Sequence, residues 1–348
     1  MAAALGVRPP PVLPPDGYGI RLEPMSSPPA AATVTVARVS ATSGSRRVTW
    51  EVDGPGWSRL ADRLADPAAL DGWVAEELAG TAAGHRDLAG ALIVYRFAGS
   101  LAELVVGPLL EQRRALVLTP ADVWLQLGPA ARLDAVGVTG GGVAVLPDDP
   151  AAAVAAVAGP SVALAGSTVA GAGPSVAGAG STVAGAAGAR PSVVVVAGVE
   201  GLRDAAVRSL LDVFGPLVPA VRARAPFGVR GMWGTLADHL AEVALRRARE
   251  QRRDQAVAWA AVESLLDALA AREPLLRARP RPHPVDGPAG AALFATKGTC
   301  CLIYKAAGPG PARALIDAAA CTSCPLRSEA DRHARLSAHL SRQAGGGA

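Results

Sequence analysis

Apolar and polar residues alternate along TVTVARVSATSGSRRVTWEV (residues 33–52) well enough to predict a β-hairpin with its turn near 42–45. From Trp57 the spacing turns helical. WSRLADRLADPAALDGWVAEELAG predicts two short amphipathic helices broken at Pro67, followed by a longer helix over about 85–112. The short apolar runs ALVLTP, DVWLQLG and GVAVLP, punctuated by proline and glycine, predict strands of a modest sheet, and PSVVVVAGV predicts a strand that returns to it. Helices are expected over GLRDAAVRSLLDVFGPLVPAVRA, with a break at Pro216, and over about 231–251 and 255–271. ARPRPHPVDGPAG reads as a connector, ALFAT and CCLIYKA as extended segments, and RSEADRHARLSAHL as a polar helix. The expected fold class is α+β, predominantly helical with a small mixed or antiparallel sheet.

Composition divides the chain further. Residues 1–30 are rich in proline and small side chains and read as a disordered leader. An α+β region is expected over 31–150, a helical region over 191–285 and a C-terminal module over 286–342. Between them, 151–190 repeats itself, with GPSVA twice and GSTVAGA twice, and reads as a low-complexity loop or linker with little to bury. The N-terminus lacks the basic and apolar regions of a signal peptide, so a cytoplasmic protein is expected. The apolar stretch 88–110 contains Arg96 and Glu103, charges that are expensive at mid-bilayer, and reads as a buried or amphipathic helix.

The net charge of +4 is unevenly spread. Residues 201–348 hold 21 Lys and Arg against 13 Asp and Glu, a net of +8, which leaves −4 for residues 1–200. A basic half suits an anionic ligand or an acidic protein partner. Scarce aromatics and the lack of a reading-helix pattern argue against nucleic acid. The run Arg246, Arg247, Arg249, Arg252 and Arg253 recurs around a helix and reads as a solvated face. The five histidines, His85, His239, His283, His333 and His339, have no metal-ligand spacing and read as surface or capping residues. Trp50, Trp57, Trp73, Trp124 and Trp259 read as core.

The chemistry concentrates near the C-terminus. The chain's four cysteines are Cys300, Cys301, Cys321 and Cys324, an adjacent pair followed by a C-x-x-C, and the first 299 residues hold none. Two disulfides joining the halves are one option, set back by a reducing cytosol. A structural zinc site is a second: the C-x-x-C half fits it, whereas adjacent cysteines converge poorly on one tetrahedral ion. A [2Fe–2S] cluster is a third, since two irons that each need two thiolates tolerate irregular spacing. Spacing alone sets the cluster only slightly ahead of zinc. The chain's only lysines, Lys297 and Lys305, flank the first pair and are candidates to offset thiolate charge. Thr299, Thr322 and Ser323 are candidate donors toward the sulfurs.

The order K-G-T-C-C-L-I-Y-K followed by C-T-S-C-P-L resembles the C-terminal signature of the FhuF-like ferric iron reductases. The residues that carry the resemblance are Lys297, Cys300, Cys301, Leu302, Tyr304, Cys321, Cys324 and Pro325. RGMWGTLADHL, with Trp233 at its head, is similar to that family's tryptophan-led helix. The signature covers about thirty residues tightly. One departure is the nineteen residues between Cys301 and Cys321, a longer loop than the family pattern, which costs little in closure entropy.

The resemblance implies a [2Fe–2S] oxidoreductase, with the cluster on the four cysteines and Tyr304 beside them. It would reduce the Fe(III) of a ferric siderophore with an electron from a ferredoxin or flavoprotein reductase, and it leaves peripheral membrane association open. The alternative is a non-enzymatic binding or regulatory protein with a structural four-cysteine zinc site or a redox-sensing cluster.

Overall fold

The computed structural model describes residues 41–43, 46–49, 52, 55–81, 84–128, 133–152, 192–288, 290–307 and 310–345. The expected leader, and all but the first two residues of the expected repeat, lie outside these. The architecture is α+β, with helix outweighing strand and the strands gathered in small mixed and antiparallel sheets.

Strands β1 (Ala41–Ser43) and β2 (Arg46–Thr49) pair antiparallel about the expected turn, with Ser43 opposite Arg46, while residues 33–40 of the expected first arm lie outside the described residues. After β3 (Trp57–Arg59) come α1 (Leu60–Ala65) and α2 (Pro67–Ala79). Pro67 both ends α1 and opens α2, at the first helical position where its missing N–H costs nothing, and Asp66 caps α2 by accepting from the Ala68 amide at 2.9 Å.

Helix α3 (Arg86–Gln112) then crosses the centre of the molecule, and β4 (Arg114–Val117), β5 (Val123–Leu127), β6 (Leu133–Val138), β7 (Gly142–Val145) and β8 (Ser192–Val195) follow. They build two sheets. One has the order β1-β2-β6-β5-β3, with β2 and β6 parallel and the other pairs antiparallel. The other has the order β4-β7-β8, with β7 and β8 parallel.

Helices α4 (Val199–Phe214), α5 (Leu217–Arg222), α6 (Val229–Glu250) and α7 (Gln255–Arg272) complete the layer around α3, with the expected break at Pro216. Phe214 stacks on Phe97 at 6.4 Å between ring centroids and meets Trp233 edge-on at 5.0 Å, which locks α3, α4 and α6 together. Burying aromatics of this size contributes roughly 2–3 kcal/mol each.

Among the described residues α3 is the one helix long and apolar enough to cross a membrane, and 89% of its most apolar window is buried inside the protein. Its interior charges are paired. Arg96 meets Glu77 of α2, and Glu103, 2% exposed, meets Arg246 and Arg247 of α6. Arg247 also reaches Glu111. This corrects the reading of the arginine run as a solvated face for Arg246, Arg247 and Arg249, while Arg252 and Arg253 are exposed as expected. Arg246 and Arg247 close a buried ion network, Arg249 lies over the Phe294 ring at 4.3 Å and donates to the Leu293 carbonyl at 2.6 Å, and Arg253 donates to the Leu110 carbonyl at 3.0 Å. The sequence shows the charges but not their partners, since Glu103 lies 143 positions before Arg246.

The segment expected as a connector is a strand. β9 (Arg281–Gly287) pairs antiparallel with β10 (Gly290–Thr296). Pro282 and Pro284 face solvent while His283 and Val285 face inward, so the prolines occupy positions on a two-stranded ribbon that an edge tolerates. CCLIYKA is not extended either. Leu302 adopts a left-handed conformation (φ 59°), and Ile303–Ala307 forms a 3-10 turn closed by Lys305 N–H to the Leu302 carbonyl at 2.9 Å. The long loop between the cysteine pairs holds α8 (Ala312–Ala319), and α9 (Glu329–Gly345) is the last described element.

Candidate functional site

The two cysteine segments meet at a corner between α6, the β9–β10 ribbon and α8. Lys297 N–H donates to the Ser323 carbonyl at 3.0 Å, which stitches the Cys300–Cys301 loop to the C-x-x-C turn, and that turn closes through Cys324 N–H to the Cys321 carbonyl at 3.1 Å. The four sulfurs come within hydrogen-bonding reach of one another in pairs: Cys300 with Cys324, Cys301 with Cys321, and Cys321 with Cys324. Cys301 and Cys324 are 5% and 1% exposed, while Cys300 and Cys321 are half-buried.

The pairing polarises the thiols. A hydrogen bond from Cys324, helped by the Leu302 amide and Lys297 against the pull of burial, lowers Cys300 to about 7. Hydrogen bonds from Cys301 and Cys324, with Lys297 and the Ser323 hydroxyl, hold Cys321 well below the ordinary thiol value. Cys301 and Cys324 are the donors in these contacts, and donation together with burial pushes both up.

Lys297 is 5% exposed, with its ammonium 4.8 Å from the centre of the Tyr95 ring and 3.8 Å from Glu242 Oε2. Burial works against the charge, but Tyr95, Cys321, Glu242 and Cys301 together hold its pKa well above the ordinary lysine value. Lys305 goes elsewhere. It pairs with Asp87 at the start of α3, so of the two lysines only Lys297 acts on the sulfurs. Ser323 contributes its hydroxyl to Cys321, Thr322 is half-buried in the C-x-x-C turn, and Tyr304 is half-buried on the 3-10 turn. Thr299 presents its backbone N–H to Asp238 Oδ2 at 3.1 Å.

Three residues essential to this corner carry no local signal in the sequence. Asp238 of α6, 2% exposed, accepts the Gly298 and Thr299 amides, and burial raises its carboxyl to about 8 against the pull of those amides and of Lys297. Arg327 donates to the Cys321 carbonyl at 3.1 Å, to the Ala320 and Asp317 carbonyls at the end of α8, and to Asp331 at 2.7 Å. Arg332 donates to the carbonyls of Cys324 at 3.1 Å and Arg327 at 3.0 Å.

Two of the five histidines differ from expectation, whereas His85 and His333 are exposed as expected. His239 is 5% exposed and meets Tyr95 edge-on at 4.4 Å, and His283 is 8% exposed with its ring 5.6 Å from that of His333. A histidine on a densely apolar helix face, or on the inward side of a ribbon, is carried into the interior by its neighbours. Of the tryptophans expected in the core, Trp73 is buried, Trp57, Trp124 and Trp259 are half-buried, and Trp50 lies outside the described residues.

Four thiols from two segments, with a buried ammonium against them, are a donor set that fits a thiolate-bound metal. Among the described residues no group of three or more His, Cys, Asp or Glu side chains encloses a position for one metal ion. Compared with known proteins, the chain matches no family model, no curated protein and no solved structure.

Proposed function

We propose that the protein is a cytoplasmic [2Fe–2S] ferric-siderophore reductase, which takes one electron from a ferredoxin or flavoprotein reductase and passes it to siderophore-held Fe(III). The observation that carries this reading is the convergence of Cys300, Cys301, Cys321 and Cys324 in pairs beside the buried Lys297. The four cysteines would hold the cluster, two to each iron. When bound, it supplies a one-electron couple.

The chain's own residues prepare that site. The Lys297 ammonium, the Ser323 hydroxyl on Cys321 and the Leu302 amide 3.4 Å from Cys300 Sγ all favour extra negative charge on the sulfurs, and so favour the reduced state. Half-buried Cys300 and Cys321 form the side of the corner that a donor or substrate can approach. The basic residues 201–348 suit an acidic donor protein. In the reaction one electron converts Fe(III) to Fe(II), which hard hydroxamate or catecholate oxygens hold less tightly, and the freed oxygens take protons from water.

Iron, zinc and acid-labile sulfide per chain, measured with an absorption spectrum on anaerobically purified protein, test the reading. About two iron and two sulfide with visible charge-transfer bands are expected. Cys321→Ser should lose both together with reduction of a ferric siderophore. One zinc without colour, or reduction that persists in Cys321→Ser after the cluster is lost, overturns it.

A further inference from the structure

The loop that delivers the adjacent cysteines is held by a carboxylate from a helix 60 positions earlier. β10 ends at Thr296, and beyond it the ribbon offers no partner for the backbone N–H groups of the next residues. Three successive donors are nevertheless taken. Lys297 N–H goes to the Ser323 carbonyl at 3.0 Å, Gly298 N–H to Asp238 Oδ1 at 2.7 Å, and Thr299 N–H to Asp238 Oδ2 at 3.1 Å. One side chain thus does what a neighbouring strand would otherwise do, for the two peptides that lead into Cys300.

The placement of Asp238 supports a dedicated role. It lies on the buried face of α6 among Leu236, Ala237, Leu240 and Ala241, where an apolar residue would otherwise be expected. The helix does not need its carboxylate, because α6 satisfies its own mid-helix backbone. One turn earlier, Gly234 lets the loop come close: a Cβ there would stand 2.0 Å from Thr299 Oγ1. Gly298 is equally confined, since a Cβ on it would fall within 2.5 Å of the Arg279 backbone. Gly234 and Asp238, at i and i+4, therefore form one docking face that admits the loop and then grips its amides.

We propose that Asp238 is the positioning residue of the thiol site, fixing the Gly298–Thr299 backbone so that Cys300 and Cys301 meet the C-x-x-C turn. The inference rests on the four thiols acting as one site, which the reading above shares, and not on the identity of the metal or the reaction.

Asp238→Asn is close to isosteric but its NH2 opposes one of the two amide donors, whereas both oxygens of the Asp238 carboxyl accept once it is ionised above about pH 8, so the comparison is made at pH 9. The test is the rate at which each cysteine of the metal-free full chain reacts with an aromatic disulfide reagent, resolved by mass spectrometry, alongside the thermal midpoint. The result expected is labelling of Cys300 and Cys301 that is faster by about tenfold, the ratio that goes with one lost buried hydrogen bond, with Cys324 little changed. Unchanged rates at Cys300 and Cys301, or an equal rise at all four cysteines in step with a lower midpoint, overturn the proposal.

Hydrogen exchange on the unsubstituted chain gives a second measurement that does not depend on the variant folding. The Gly298 and Thr299 amides should exchange as slowly as those of mid-α6, and exchange at the rate of a surface loop is incompatible with the role. Failure of the wild-type chain to hold iron and sulfide would remove the reductase reading while both measurements still judge Asp238.

Discussion

Arg327 has a side chain only 1% exposed, yet it follows Cys324 by three residues in the ordinary-looking polar run PLRSEADR. Its planar fork spans the end of α8 and the C-x-x-C turn, binding carbonyls of Asp317, Ala320 and Cys321 and the carboxylate of Asp331. Replacing it by methionine keeps the apolar stem and leaves those acceptors without their donor. Arg327→Met should cost about 2–4 kcal/mol in urea unfolding, and Arg327→Lys, with one compact ammonium, should recover only part of that. A loss below about 0.5 kcal/mol would mean that water replaces the guanidinium freely. The cysteines and Lys297 were legible in the sequence because thiols are scarce and clustered and lysines are scarcer still. Asp238 and Arg327 were not, since a buried charge paired across the fold looks locally like any surface charge.

At the scale of elements, periodicity exposed most of the architecture. The break at Pro67, the long helix α3 and the break at Pro216 follow from spacing and proline alone. It failed where two signals conflicted. In β9 the prolines argued for a connector, but they occupy outward positions on an edge, and the inward His283 and Val285 carried the strand. In the CCLIYK segment the apolar run suggested extension, whereas the left-handed Leu302 folds its amide back to Cys300 Sγ and starts a 3-10 turn. That turn is tied to the main body by the ion pair of Lys305 with Asp87 on α3. Burial pushes the Asp87 carboxyl up, but the hydrogen bond and charge of Lys305 and the Leu88 amide outweigh it, so its folded value lies below the ordinary 3.8. A carboxyl depressed by folding contributes stability that is present above its unfolded value and is lost as pH falls through the folded one. The stability difference between wild type and Asp87→Asn should therefore be full at pH 7 and vanish well below pH 4, which paired urea titrations at the two pH values would read. With both partners about a quarter exposed, the difference at pH 7 should not exceed about 1 kcal/mol, and it should shrink in high salt. A difference that persists at low pH would assign the effect to packing instead.

For the whole molecule, the question is whether the thiol corner is a domain or a corner of one. The sequence reading places it in a C-terminal module over 286–342. The apolar cluster proper to that region consists of Val285, Ala292, Phe294 and Leu336, with Leu340 against it, far less than an independently folding unit buries. Its remaining support comes from the main body. Asp238 and Glu242 of α6 hold the loop and Lys297, Arg249 covers Phe294, Gln255 of α7 accepts the Leu293 amide at 2.8 Å, and Asp87 of α3 holds Lys305. These ties connect positions as far as 218 apart, which no local pattern in the sequence displays. The corner should then lose its structure together with the core. In a urea series on the metal-free chain, reactivity of Cys301 and Cys324, both buried in the native state, should rise with the same midpoint as the loss of helical circular dichroism. A thiol transition at clearly lower urea, with the helical signal intact, would make the corner a separable unit. Coincident transitions would mean instead that any substitution loosening α6 also loosens the thiols, so that the stability of the site is set by a helix that contributes none of its ligands.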